Sequence, residues 1–332
     1  MDSKAREDLK KGFIESYFFY PKLWHKCLAL LLLPISFLYA LIAIFRKSLM
    51  SHRAFDLKII SIGNLVSGGS GKTPFCIALV QHLQQCGYKD IYVILRGYKR
   101  KSKGLVQVSN QGKILCDVAQ SGDEAMLIAM QTASSVVVSE DRTIALNYAK
   151  NNNAKIVILD DAYRFNFNKF DILLEPLITP YFPFVLPSGY YRFPKSFYKK
   201  CDLHIKEGAG YVRKVKICYP ERNDFVRQNG SSDFNIQDEK RFILATAIAN
   251  PSRLQPFLPQ NIIHSHYLPD HASFTSEELQ ELLCKYNATH ILMTQKDYVK
   301  CSNFDLPFAL LMLNIEIDSK VLGKIESFLQ RS

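Results

Sequence analysis

Residues 61–75 read SIGNLVSGGSGKTPF and have the composition of a phosphate-binding loop. The general pattern is a glycine, four free positions and then Gly-Lys-Ser/Thr. Gly71, Lys72 and Thr73 supply its end, whereas Val66 stands where the first glycine is expected. A β-branched run precedes the loop and a helical pattern follows it, so backbone N–H groups at a helix N-terminus would point at phosphate oxygens. A glycine-rich turn that binds nothing is the alternative. The pattern favours nucleotide binding by Val66, Ser67, Gly68, Gly69, Ser70, Gly71, Lys72 and Thr73.

Within this loop, Lys72 is expected to reach the β- and γ-phosphates of a bound nucleotide and the Thr73 hydroxyl to bind Mg²⁺. Such a site needs a carboxylate at the end of another strand. The run IVILDD ends in Asp160 and Asp161, which we predict to be metal ligands. Aspartate is also common in turns that end strands, but the neighbouring phosphate loop favours the metal role.

Two further segments could supply acid–base chemistry. In SGDEAML, Asp123 and Glu124 begin a helical pattern, where acidic residues also suit the helix dipole. In residues 264–274, HSHYLPDHASF, the pair Asp270-His271 follows a proline in a loop and is a plausible acid–base unit. His264 and His266 lack a second arm of matching metal ligands, so strand-edge histidines are the favoured interpretation.

The chain is basic, with a formal net charge of +11 and a pI near 9.1 over 332 residues. This charge suggests an anionic partner: nucleic acid, a membrane surface or a phosphorylated substrate. Basic residues are concentrated in RGYKRKSK, just past a predicted strand, and in LPSGYYRFPKSFYKK. No nucleic-acid recognition motif is present, which argues against nucleic acid as partner. The eight cysteines include no C-x-x-C pair, which argues against a zinc site and a disulfide framework.

Residues 27–45, CLALLLLPISFLYALIAIF, form an uncharged run of nineteen residues with basic residues on both sides. This length is just enough to cross a bilayer. Pro34 would kink such a helix, so an interfacial or half-inserted helix is a second possibility. A buried core helix is the third, and it is disfavoured because such a helix is rarely apolar on every face.

After residue 55, short apolar strands alternate with helical patterns, which predicts an α/β fold with a parallel sheet flanked by helices. Strands are expected in LKIISIG, DIYVILR, SVVVS and KIVILDD, and helices over 72–85, 122–132 and 141–151. A polar stretch, RQNGSSDFNIQDEK, precedes a second, smaller α/β block, in which a helix is expected in PSRLQPFL. The predicted organisation is an anchoring region over residues 1–55, a P-loop core over 56–238 and a C-terminal block over 239–332.

The complete set of motifs resembles the tetraacyldisaccharide 4'-kinases, the lipid A 4'-kinases of Gram-negative bacteria. That family's phosphate loop also lacks the first glycine, as in IGNLVSGGSGKTP. The motifs that follow in the family's order are LRGYKR, GDEAMLIA, VVVSEDR, VILDDAYRFN, LPSGYYRFPKS, AIANPSRL, LPDHASF and TQKDYVK. The sequence departs from the family's usual residues at Ala162, Arg164, Ala272, Gln295 and within Tyr190–Phe193. These departures concern contacts with the substrate.

The resemblance implies a kinase that transfers the γ-phosphate of ATP to the 4'-hydroxyl of tetraacyldisaccharide 1-phosphate, an anionic glycolipid. It implies a location at the inner membrane, with the catalytic domain on the cytoplasmic side. It also implies that Asp123 and His271 act as a pair near the acceptor hydroxyl, with Lys72 stabilising the transferred phosphoryl group. A membrane-tethered P-loop ATPase or switch that acts on a protein partner is the alternative from another functional class.

Overall fold

The computed structural model describes residues 13–49, 52–67, 71–220, 240–248, 251–270 and 272–331. The strands within these ranges are β1 (Lys58–Asn64), β2 (Ile91–Leu95), β3 (Val106–Asn110), β4 (Lys113–Ile114), β5 (Ser135–Val138), β6 (Ile156–Asp160), β7 (Phe170–Glu175), β8 (Leu203–Lys206), β9 (Tyr211–Cys218), β10 (Phe242–Thr246), β11 (Ile262–Tyr267), β12 (His290–Thr294) and β13 (Phe308–Ile317).

The α-helices in the same ranges are α1 (Phe13–Phe18), α2 (Leu23–Ser48), α3 (Lys72–Gln85), α4 (Val118–Ser121), α5 (Asp123–Gln131), α6 (Arg142–Asn151), α7 (Ser276–Tyr286), α8 (Gln295–Tyr298) and α9 (Ser319–Gln330). The 3₁₀ helices are Lys195–Lys200 and Pro251–Phe257. The strands form an eight-stranded, mostly parallel sheet from β1–β8 and a five-stranded sheet from β9–β13, which confirms the predicted α/β fold.

The chain divides into two compact units. The first contains the described residues of Met1–Lys72, Asp161–Tyr211 and Asp318–Ser332. Here β1 pairs in parallel with β7, and β7 pairs in parallel with β8. Neither β7 nor β8 is among the predicted strands, because their short apolar runs are interrupted by acidic and basic residues.

The second unit contains the described residues of Thr73–Asp160 and Val212–Ile317. In it, β2 lies between β5 and β6 in parallel register, and every residue of these three strands is buried. Continuous apolar runs such as IYVIL and IVILD are typical of parallel strands covered on both faces. The antiparallel strands β3 and β4 form a hairpin beside β5 that the sequence patterns did not predict.

The five-stranded sheet has the order β11-β10-β12-β13-β9. The residues predicted as a helix in PSRLQPFL form the 3₁₀ helix Pro251–Phe257, since a second proline removes a backbone donor. The predicted domain ranges 1–55, 56–238 and 239–332 stay a prediction.

Candidate functional site

The phosphate loop begins on a short antiparallel ladder within the first unit. Val66 forms an isolated bridge with Tyr191, and the Ser67 N–H donates to the carbonyl oxygen of Tyr190 at 2.8 Å. The Arg192 N–H donates to the carbonyl oxygen of Leu65 at 2.7 Å. Val66 is only 2% exposed and packs among apolar side chains of this unit. The position that usually holds a glycine therefore carries a core side chain.

Gly71 ends the loop and Lys72 begins α3. Gly71 has a φ of 79°, in the left-handed region that favours glycine. Three predicted loop residues, Gly68, Gly69 and Ser70, lie outside the described residues. Lys72 is 14% exposed, and its Nζ donates to Oδ1 of Asn64 at 3.2 Å. The Asn64 amide in turn donates to the carbonyl oxygen of Val66 at 2.7 Å, so it connects the lysine to the loop.

Asp161 contacts two cationic side chains, Lys72 and Arg192. Its Oδ1 lies 3.7 Å from Nζ of Lys72, and its Oδ2 lies 2.9 Å from Nη1 of Arg192. The Asp161 backbone has a φ of 53°, and its N–H donates to the carbonyl oxygen of Ile62 at 2.9 Å. This left-handed turn at the end of the strand directs the carboxylate toward the loop lysine. Lys72 and Arg192 thus flank one carboxylate and form a cationic site suited to phosphate oxygens.

Sequence reasoning missed two members of this cluster, Asn64 and Arg192. Asn64 is the last residue of β1, and a polar residue that ends a buried strand beside a glycine loop was a usable signal. Arg192 belongs to the stretch LPSGYYRFPKSFYKK, which the sequence singled out only as basic and aromatic. Its place opposite Asp161 follows from the ladder between residues 65–67 and 190–192.

Asp160 and Thr73 both belong to the second unit. Asp160 ends β6 with 6% exposure, and its carbonyl oxygen accepts from Nη2 of Arg142 at 3.0 Å. Burial raises the pKa of the Cys76 thiol, and the negative charge of Asp160 raises it further. Asp160 therefore acts electrostatically on the first turns of α3, where Thr73 is the second residue. Carboxylate and hydroxyl oxygens are donors of the kind that Mg²⁺ prefers in proteins, and a shared metal site of Thr73 and Asp160 stays a prediction.

Asp123 lies at the start of α5, as predicted, and its side chain is 12% exposed. The preceding residue, Gly122, has a φ of 81°, and a Cβ there would lie 3.1 Å from the carbonyl oxygen of Tyr98. Only glycine fits this approach without strain. The Asp123 carboxylate contacts Lys300, with 3.0 Å between Oδ2 and Nζ. No local pattern of residues predicts this contact between Asp123 and Lys300.

Asp270 and Ala272 contact three lysines of the second unit. Lys300 Nζ donates to the carbonyl oxygen of Ala272 at 3.0 Å, and Lys99 Nζ donates to that of Asp270 at 3.1 Å. Lys296 Nζ lies 3.6 Å from Oδ1 of Asp270. The predicted catalytic residue His271 lies outside the described residues.

The other histidines of this region have structural partners. His266 Nε2 lies 2.7 Å from Oε1 of Glu278, and the His264 ring stacks on Tyr286 with 4.0 Å between ring centroids. Burial lowers the pKa of His264. These contacts agree with strand-edge histidines on β11.

The basic loop after β2 divides into structural and exposed residues. Arg100 Nη2 forms an ion pair with Oε1 of Glu140 at 2.6 Å, and Nη1 donates to Ser102 at 3.2 Å. Its side chain is 2% exposed, so Arg100 holds this loop together. Contact between this basic loop and an anionic substrate stays a prediction.

The apolar helix α2 packs one face against the first unit. Ala29 and Ser36 are buried, whereas the helix exposes many large apolar side chains. The Ser188 N–H donates to Oγ of Ser36 at 2.8 Å, and the Ser188 hydroxyl donates to the carbonyl oxygen of Ala29. Near the other end, Lys47 Nζ donates to the carbonyl oxygen of Tyr163 at 2.7 Å. By length and composition α2 could cross a membrane, and only 11% of its most apolar window is buried.

Comparison with known proteins gives a consistent result. The model of a family described as tetraacyldisaccharide-1-P 4'-kinase matches residues 28–332. A tetraacyldisaccharide 4'-kinase from Helicobacter acinonychis (strain Sheeba) is 43% identical over 320 residues, which cover 96% of this chain and 95% of that protein. The one from Campylobacter jejuni (strain RM1221) is 42% identical over 321 residues and covers 96% of each.

A solved structure is also similar. The crystal structure of the "apo" form of LpxK from Aquifex aeolicus in complex with ATP matches with a TM-score of 0.73 and 25% sequence identity. The match covers 92% of this chain and 100% of that one.

Proposed function

Because the chain belongs to the tetraacyldisaccharide 4'-kinase family, we propose that it transfers the γ-phosphate of ATP to the 4'-hydroxyl of tetraacyldisaccharide 1-phosphate in lipid A biosynthesis. The similarity over nearly the whole chain carries this proposal. The cluster of Lys72, Arg192 and Asp161 supports it, because two cations beside a phosphate loop suit a phosphoryl group. The positive net charge suits a substrate that already carries a phosphate.

ATP is the proposed phosphoryl donor. The Aquifex aeolicus structure was solved in complex with ATP, which supports the same nucleotide here. The loop from Val66 to Thr73 would bind the phosphates through its backbone N–H groups. Lys72 would then exchange part of its contact with Asp161 for the phosphoryl group and stabilise the charge that develops during transfer.

Thr73, Asp160 and Asp161 are the proposed Mg²⁺ ligands. When bound, the ion would neutralise charge on the phosphates. The burial of Asp160 and its electrostatic effect on Cys76 of α3 support its part in this proposal. Asp161 contacts Lys72 and Arg192, so it would also orient these cations.

Asp123 is the proposed residue on the acceptor side. Its carboxylate, fixed at the N-terminus of α5, would orient the 4'-hydroxyl and accept its proton. His271 is the proposed partner of Asp123, and the two groups would titrate as a coupled pair.

The membrane is the proposed location, with the catalytic domain on the cytoplasmic side of the inner membrane, where ATP is available. We propose that α2 lies in the membrane interface, because hydrogen bonds from Ser188 and Lys47 fix one of its faces to the protein. Its opposite face exposes Leu31 and Leu38, which would enter the lipid. The lipid substrate would then be phosphorylated without leaving the membrane.

The test is direct. Detergent-solubilised protein is mixed with ATP, Mg²⁺ and tetraacyldisaccharide 1-phosphate, and the lipid products are separated. A new bisphosphorylated lipid, absent with Lys72→Met, is the expected result. The matched control is Lys195→Met, which removes a lysine of the same unit that lies over the Tyr191 ring. ATP hydrolysis without a new phospholipid would refute the proposal and favour the ATPase or switch.

A further inference from the structure

Lys300 contacts two segments of the second unit that are far apart in sequence. Its Nζ lies 3.0 Å from Oδ2 of Asp123 and donates to the carbonyl oxygen of Ala272 at 3.0 Å. The Lys300 side chain is 8% exposed, and that of Asp123 is 12% exposed. One ammonium group thus joins the N-terminus of α5 to the segment that flanks His271.

We propose that Lys300 is a positioning residue for phosphoryl transfer: its charge keeps Asp123 ionised, and its two contacts hold Ala272 beside Asp123 at the start of α5. The inference rests on the proposed role of Asp123 as the group that receives the proton of the acceptor hydroxyl. It adds a residue whose function is exerted through Asp123 and not through contact with either substrate.

Because the Lys300 and Asp123 side chains are both nearly buried, the charge of Lys300 acts strongly on the protonation of Asp123. A carboxylate that has lost most of its hydration takes up a proton more readily, whereas a cation within hydrogen-bonding distance favours the ionised form. An ionised carboxylate is needed if Asp123 is to accept a proton from the sugar hydroxyl. Because few water molecules can reach Asp123, the charge of Lys300 is only weakly screened.

The hydrogen bond from Lys300 to the carbonyl oxygen of Ala272 fixes the position of Ala272 relative to Asp123. The Ala272 N–H donates to the carbonyl oxygen of Pro269 at 2.9 Å. The Lys300 ammonium binds the carbonyl oxygen of the same residue, so both backbone polar groups of Ala272 have a partner. Lys300 itself follows the short helix α8, which Thr294 caps by accepting from the N–H of Asp297.

A matched control lies four residues earlier in the chain. Lys296 Nζ is 3.6 Å from Oδ1 of Asp270, so it contacts a different carboxylate, two residues before Ala272 in the chain. Lys296→Met removes an ammonium group from the same neighbourhood but leaves the contact between Lys300 and Asp123 in place.

The experiment compares four full-length proteins in detergent: the unsubstituted chain, Lys300→Met, Lys300→Arg and Lys296→Met. Formation of bisphosphorylated lipid is measured as kcat and KM for each substrate between about pH 5.5 and pH 9, because kcat/KM reports the essential acid and base of the free enzyme. Thermal unfolding of each protein is measured in the same buffer.

With Lys300→Met, we expect the acidic limb of kcat/KM for the lipid to move about 1–3 pH units higher, since that is the usual effect of an adjacent opposite charge on a carboxyl group. The KM for ATP should stay within about twofold of the original value, because Lys300 acts on the acceptor side. With Lys300→Arg the acidic limb should stay close to its original pH, and with Lys296→Met it should not move.

A double variant tests whether Lys300 acts through Asp123. In an Asp123→Asn background, Lys300→Met should reduce the remaining kcat by less than about threefold, since groups that act as a unit are not additive. If Lys300→Met is too unstable to purify, Lys300→Gln replaces it, since glutamine removes the charge but keeps a donor for Ala272. The acidic limb of kcat/KM should then show the same shift to higher pH.

The proposal is overturned if the charge-removing variants only lose thermal stability while their pH profiles coincide with that of the unsubstituted chain. An equal shift with Lys296→Met would also overturn it. Failure of the proposed function looks different, because the unsubstituted chain itself would then form no bisphosphorylated lipid at any pH.

Discussion

Replacing Lys72 with methionine should lower kcat strongly and leave the stability of the fold nearly unchanged. In the structure its Nζ lies 3.7 Å from an anionic oxygen of Asp161, which indicates the distance at which it would hold a phosphoryl oxygen. Two unit charges about 4 Å apart interact by ~4 kcal/mol at an effective dielectric constant near 20. If most of this interaction develops in the transition state, kcat falls by about 10²- to 10³-fold.

The cost to stability should be small. The Asp161 carboxylate is substantially exposed, so its pair with Lys72 contributes about 0–1 kcal/mol after solvent screening. Asp161 keeps its contact with Arg192, and Asn64 keeps its hydrogen bond to Val66. The thermal midpoint should therefore fall by less than about 4 °C.

The assay measures kcat and KM for ATP with the solubilised lipid substrate, alongside calorimetric or fluorescence melting curves. Lys195→Met serves as the control for loss of a lysine from the same unit. A kcat within about tenfold of the unsubstituted chain would contradict the assignment of Lys72 to the transition state. A collapse of the melting temperature with unchanged kcat would instead make Lys72 a structural residue.

Three further predictions concern the metal, the second cation and the membrane. Asp160→Asn should raise the Mg²⁺ concentration for half-maximal rate by about tenfold or more, since a carboxylate ligand is lost; an unchanged Mg²⁺ titration would remove Asp160 from the metal site. Arg192→Met should lower kcat by about 10-fold to 10³-fold with little change in melting temperature, because its pair with Asp161 is partly exposed and therefore screened by solvent; full activity would show that Lys72 suffices. Leu31→Glu combined with Leu38→Glu should release the chain from phospholipid vesicles in flotation assays while activity on solubilised substrate persists; Leu31→Met with Leu38→Met is the control, and continued flotation of the charged variant would place the attachment elsewhere.

Sequence reasoning predicted most of the α/β fold correctly where its signals are local. Apolar runs such as IYVIL identify buried parallel strands, since a strand covered on both faces has no polar alternation. The hairpin of β3 and β4 was missed because its strands are short and partly exposed. The 3₁₀ conformation of Pro251–Phe257 depends on a proline inside a helical pattern, which shortens the helix without abolishing it.

In the candidate site, too, the features that depend on neighbouring residues could be predicted, whereas contacts between distant residues could not. A strand, a glycine cluster and a helix that begins at Lys72 are consecutive in the chain. The phosphate loop and its lysine could therefore be predicted from the sequence alone. The sequence also placed Asp123 at a helix N-terminus, because the cap and the first turn are adjacent residues. Such features depend on backbone conformation within a few residues and need no knowledge of distant contacts.

The pairing of charged side chains depends on tertiary contacts. Arg192 reaches Asp161 through the ladder between residues 65–67 and 190–192, and Lys300 reaches Asp123 from a separate part of the second unit. The tertiary structure also decided that Val66 is a core residue and that α2 has one face fixed to the protein. These pairings arise from strand order and helix packing, which bring distant segments together, and no local pattern of residue types specifies them.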